Sequence, residues 1–109
     1  MISPRLERQE PFLTSLFQAA SRPQQRARLL QHANSDQINA VSELVLNTLK
    51  NNVPLTPPMM ARLRRYKGPL REIGKRQNSV KKRRQHLLAQ HGRGFWTSLR
   101  EVCHCVLPL

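Results

Sequence analysis

Twelve of the chain's nineteen Lys and Arg fall between Met59 and Gly94, where they meet a single acidic residue, Glu72. A segment with a net charge of +11 repels itself, and such self-repulsion usually persists because a polyanionic partner relieves it. Within the segment Lys81-Lys82-Arg83-Arg84 is an unbroken run of cations. At roughly 100° per residue, four neighbours go right round a helix. A helix built on this run is expected to expose charge in nearly every direction, to keep only a narrow apolar seam of Val80, Leu87 and Leu88, and to fray until phosphates neutralise it.

The remainder of the chain is close to balanced. Residues 1–58 hold six basic and four acidic residues, and residues 95–109 hold one of each, so the formal charge of +13 is almost wholly that of the central segment. With 109 residues the chain forms one domain at most, and one this small buries only about two thirds of the surface its unfolded chain exposes. Its two cysteines, Cys103 and Cys105, are separated by one residue, too close for an unstrained bridge within one regular element, so reduced thiols and an intracellular setting are expected. The start Met1-Ile2-Ser3-Pro4-Arg5 has no apolar h-region, which predicts no signal peptide, and no apolar run approaches the roughly 20 residues of a spanning helix.

The predicted architecture is all-α: short helices in an N-terminal unit (1–52), a Pro-rich hinge (53–58), a basic helical arm (59–94) that is partly disordered without nucleic acid, and a short apolar C-terminal tail (95–109). Pro11 opens a helix through Phe12, Leu13, Leu16 and Phe17, and Ser21 with Pro23 opens a second through Ala27, Leu29 and Leu30. Ser35 is the expected N-cap of a third, with Asp36 suiting its dipole and Ile38, Val41, Val45 and Leu49 recurring at spacings of three and four. Asn51-Asn52 before Pro54 marks its end. The three prolines of Val53-Pro54-Leu55-Thr56-Pro57-Pro58 stiffen the hinge. Thr56 then caps, and Pro57 begins, a helix with Met59, Leu63 and Tyr66 on one stripe and Arg62, Arg64 and Arg65 on the other. Gly68-Pro69 starts a shorter helix through Leu70 and Ile73, and Gly74 with the Asn78-Ser79 cap separates it from the last basic helix. In the tail Phe95, Trp96, Leu99, Val102, Val106 and Leu107 recur at helix-like spacing. They either lie in a membrane interface or cover the thin core.

The candidate phosphate contacts are Arg62, Arg64, Arg65, Lys67, Arg71, Lys75, Arg76, Lys81, Lys82, Arg83 and Arg84. Arginine offers a planar fork to phosphate oxygens and lysine a mobile point charge, so a mixture without ordered polar readers suits backbone grip and not base reading. If about six phosphates are engaged, log K falls with log salt at a slope of roughly −5. The 81–84 tetrad alone also reads as a nuclear-localisation signal, and the two uses are compatible. Tyr66 is the one aromatic residue of the segment, which leaves no platform for stacking successive single-stranded bases and favours duplex DNA, with structured RNA open. The carboxylates Glu7, Glu10, Asp36, Glu43, Glu72 and Glu101 are scattered, and neither a phosphate loop nor a nucleophile elbow is present, so no catalysis and no cofactor are expected. Cys103-His104-Cys105 with His91 lacks the spacing of a zinc site, and no metal is expected.

The blocks Ser35-Asp36-Gln37-Ile38, Asn52-Val53-Pro54-Leu55-Thr56-Pro57, Leu63-Arg64-Arg65-Tyr66-Lys67, Ser79-Val80-Lys81-Lys82-Arg83-Arg84 and His91-Gly92-Arg93-Gly94-Phe95, in this order, resemble small proteins of polinton-like and adintovirus elements in animal genomes. Those are in turn similar to the adenovirus core protein mu (precursor X). The resemblance covers about residues 28–95. It implies a virion component, acting in the particle and the host nucleus, that binds and condenses packaged double-stranded DNA without catalysis, alongside other virion proteins. The alternatives are an RNA-binding structural protein of the ribosomal type and a membrane-active minor capsid peptide. The resemblance also implies trimming by a viral cysteine protease after a Gly-x or Gly-Gly step: Gln90-His91-Gly92-Arg93-Gly94 looks like that pattern, with the break expected between Arg93 and Gly94. Alternatively Gly92 caps the basic helix, and both can hold. After Phe95 the chain departs from its relatives, whose tails are rich in Gly, Leu and Pro.

Overall fold

The computed structural model describes residues 3–107, and among them the chain forms eight helices and no strand. They are α1 (Pro4–Arg8), α2 (Glu10–Gln18), α3 (Pro23–His32), α4 (Ser35–Leu49), α5 (Pro57–Arg64), α6 (Lys67–Gly74), α7 (Val80–Leu88) and α8 (Arg93–Val106). The all-α expectation holds.

Punctuation residues set most of the boundaries. Proline stands in the first turn of α1, α2, α3 and α5, where its missing N–H has no intrahelical acceptor to lose. Thr56 caps α5 and Ser79 caps α7 through their hydroxyls, as expected. The cap of α4 lies one residue upstream of the expected Ser35. Asn34 accepts from the Gln37 backbone N–H at 2.9 Å, and Gln37 Oε1 accepts from the Asn34 N–H at 2.8 Å. This reciprocal box satisfies two orphan donors, where Ser35 alone satisfies one. At the other end Asn51 adopts a left-handed φ of 59°, and the N–H groups of Asn52 and Asn51 turn back to Asn47 O and Thr48 O. That is the Schellman closure, and asparagine tolerates it better than most residues.

The expected division into an N-terminal unit and a basic arm joined by a hinge is not what the packing shows. Helices α6 and α7 lie on α4, and α8 lies on α2 and α5. Leu70, Ile73 and Leu87 of the basic segment share one core with Leu13, Leu16, Ile38, Val41 and Val45. Val53 of the proline connector is buried in the same cluster, so the connector is anchored at its start. The radius of gyration of 12.4 Å is below the roughly 13 Å of a compact chain of this length, which leaves no room for an extended arm. The physical reason is size: some fifty residues of short helices cannot bury their own apolar faces, and the second half of the chain completes them.

The expected C-terminal tail is the central element. Phe95, Trp96, Leu99, Val102, Cys103 and Leu107 are all buried, with Trp96 fully enclosed. Trp96 meets Phe17 at 6.3 Å and Phe95 edge-on at 5.2 Å, and Phe95 in turn meets Tyr66 at 5.5 Å. No helix among the described residues is long and apolar enough to cross a membrane.

Candidate nucleic-acid interface

The cations of α5 to α7 divide by what their neighbours need. On α6 the buried residues Leu70, Ile73 and Gly74 occupy one face, and Lys67 and Arg71, four apart, stand exposed on the other, with Lys75 and Arg76 following the last turn. On α5 Arg62, Arg64 and Arg65 are exposed while Leu63 is buried. Arg62 forms an ion pair with Glu101 of α8, and Lys75 lies 3.4 Å from Glu72. Glu72 is held below its ordinary range by the Asn78 amide first and by Lys75 second. That leaves Arg64, Arg65, Lys67, Arg71, Arg76, Lys81 and Lys82, seven of the eleven candidates, exposed and without an acidic partner among the described residues.

Helix α7 corrects the expectation that a four-cation run must expose charge all round. Lys81 and Lys82 point outward with Gln85, but Arg83 is 7% exposed and lies on the buried face with Leu87. Its Nε donates to Asn78 O at 3.1 Å and its Nη1 to Ser42 Oγ at 2.8 Å. Arg84 is half-buried and donates from Nη2 to Ala33 O at 2.6 Å. Arg83 therefore does not belong to the outward-facing cations, and Arg84 is committed to the α3–α4 junction. The long aliphatic stems make this possible, because they cover apolar surface while the guanidinium finds backbone and hydroxyl acceptors. Lys81 and Lys82 occupy the first turn of α7, which has no acidic residue, so they add to the positive end of its dipole.

Arg26, outside the basic segment, is also internal. Its guanidinium sits 5.0 Å above the Trp96 ring and donates to Ala20 O at 2.7 Å and His91 O at 3.4 Å. Trp96 Nε1 donates to Gln90 O at 2.8 Å. Together they hold the α7–α8 linker from within. Nothing in the sequence marks Arg26, because a lone arginine carries no sign of the aromatic ring it meets seventy residues later.

The Gly92-Arg93-Gly94 stretch is exposed, but it is the start of α8. Gly92 is the N-cap of α8 and not the cap of α7, which ends at Leu88 with Ala89 as its C-cap. The Arg93–Gly94 bond lies in the first turn of α8, so a protease that needs an extended substrate must unwind that turn. Gly94 has a packing reason of its own: a Cβ there would stand 2.5 Å from the Tyr66 hydroxyl, whose ring is held against Phe95. Cys103 is buried and its thiol is pushed up to about 12, by burial first and Glu10 second, whereas Cys105 is exposed. Among the described residues no cluster of His, Cys, Asp or Glu suits a metal ion.

No family model, curated protein or solved structure matches this chain.

Away from the interface, Asp36 ties α1 to the start of α4. It accepts from Arg8 at 2.9 Å, Gln9 at 2.6 Å and Arg5 at 3.2 Å, and these bonds, Arg8 first, hold its carboxyl well below the usual range. A carboxylate depressed by folding contributes stability that is present above its unfolded pKa of about 3.9 and is lost as pH falls through its folded value. The gap in urea midpoint between the native chain and Asp36→Asn is thus expected to be widest above about pH 5 and to shrink on acidification toward about pH 2. A gap independent of pH contradicts this account of the node.

Proposed function

We propose that this protein binds duplex DNA through the phosphate backbone, without sequence preference and without catalysis, and condenses it. The observation that carries the reading is the set of seven exposed cations on α5 to α7 with no acidic partner among the described residues. They are mounted on helices that the common core holds in place, so the charge is presented on a formed surface and its ordering cost is already met. Tyr66, half-buried and edge-on to Phe95, is not offered as a stacking platform, which supports duplex over single strands. The resemblance to polinton-like and adintovirus proteins extends the reading to a packaging component of a virus-like particle in the virion and host nucleus, with other virion proteins and a viral cysteine protease as partners. The apolar face of α8 that a membrane-active peptide would need is occupied by the core.

Competition at one salt concentration tests the reading. Two unrelated duplexes are expected to displace a labelled duplex equally well, and single strands of the same length to do so less well. Preferential displacement by structured RNA would replace this reading with the ribosomal type of RNA-binding protein.

A further inference from the structure

A second cationic feature lies away from the outer faces, in a cleft of about 320 Å³ where α1, α4, the end of α6 and α7 meet. Its walls carry three guanidinium groups, Arg5, Arg76 and Arg83, and one carboxylate, Glu43, with Ser42 and Asn39 between them. Glu43 is already committed. It accepts from the Ser3 hydroxyl and lies 3.7 Å from Arg5 Nη1, and Arg5 further bonds Asp36 through Nε.

Arg83 is the anomaly. It is buried, its two bonds go to the neutral acceptors Ser42 Oγ and Asn78 O, and it has no carboxylate partner among the described residues. Burial first, and the cation Arg5 second, lower its affinity for its proton. Buried cations are ordinarily paired, because desolvation without a counter-charge costs several kcal/mol that neutral hydrogen bonds do not recover. Arg76, exposed and without an acidic partner, stands on the same cleft.

We propose that this cleft is a phosphate site, in which a phosphate group supplies the counter-charge that the fold withholds from Arg83, with Arg76 closing on it from solvent. Leu46 and Gly74 are the apolar part of the lining, too little to hold a base or an acyl chain, so the chemical class is a phosphate or pyrophosphate group. The site does not depend on whether the outer cations meet DNA. Its occupant is either a free phosphate or one phosphate of a bound duplex.

The test titrates inorganic phosphate against sodium chloride at equal ionic strength, following thermal midpoint and the backbone amide shifts of Ser42 and Gly74 in the full chain. Arg76→Gln is the informative variant, since Arg76 is exposed and in no ion pair among the described residues, and Lys81→Gln, on the outer face of α7, is its control. Phosphate is expected to raise the midpoint beyond chloride and move both amides, with affinity about tenfold weaker in Arg76→Gln and unchanged in Lys81→Gln. Equal effects of phosphate and chloride, or equal loss in the two variants, overturn the proposal. A short duplex that reproduces the Ser42 and Gly74 shifts identifies the occupant as a DNA phosphate, and one that leaves them unmoved while phosphate still binds identifies it as free phosphate. If the chain binds no duplex and phosphate still moves the amides, the cleft stands and the DNA reading falls.

Discussion

Trp96→Ala is expected to cost about 3–5 kcal/mol of folding stability, lowering the thermal midpoint on the order of 15 °C. Trp96 is fully buried where α2, α3 and α8 converge, and three different losses coincide there. The ring leaves a cavity beside Phe17 and Phe95, Arg26 loses the face over which its charge is spread, and Gln90 O loses the indole donor. A domain of this size has only about 5–15 kcal/mol in total, so the variant should sit near the edge of folding. The same logic applies to cleavage after Arg93, which removes Phe95, Trp96, Leu99, Val102, Cys103 and Leu107 from the core at once. Urea unfolding followed by tryptophan-independent circular dichroism measures the effect. A stability within about 0.5 kcal/mol of the native chain's would contradict the place of Trp96 in the core.

The four-cation run should split into two pairs that differ in their effect on stability. Replacing Lys81 and Lys82 by Gln removes two exposed charges that form no ion pair among the described residues, so duplex affinity should fall while stability stays within about 0.5 kcal/mol. Replacing Arg83 and Arg84 by Gln should cost about 2–4 kcal/mol of stability, because the packed stems are shortened and Ser42, Asn78 O and Ala33 O lose their donors together. Arg83 should dominate that loss, since Arg84 Nε is buried with no acceptor and Arg84 is the less settled of the two. Paired measurements of unfolding and duplex binding on the two double variants decide it. Four residues that weaken binding alike, with no change in unfolding, would contradict the burial of Arg83.

The difference between what was readable in the chain and what was not follows the range of the interaction. Boundaries set by a residue and its near neighbours were readable: Pro11, Pro23, Thr56-Pro57, Ser79 and the Asn51-Asn52 stop all act over a few residues. The displaced cap of α4 is a local competition between Asn34 and Ser35, decided by the side chain of Gln37. Helix α1 went unseen because five residues carry one buried leucine, Leu6, and no periodicity. The seat of Trp96 against Phe17 and the inward turn of Arg26, Arg83 and Arg84 depend on partners 41 to 79 residues away, and hydropathy pattern alone counts every arginine as surface. For the interface, the type of residue was readable and the availability of each was not: seven of eleven candidates remain free, two are ion-paired, and two serve the fold.

The claim that the free cations of α5 to α7 grip phosphates is tested most directly by the salt dependence of binding to two unrelated duplexes. With seven contacts, log K should fall against log salt with a slope of roughly −6, the same for both sequences, and Lys81→Gln with Lys82→Gln should bring it to roughly −4. A slope no steeper than about −2, or one that those two substitutions leave unchanged, would contradict the account.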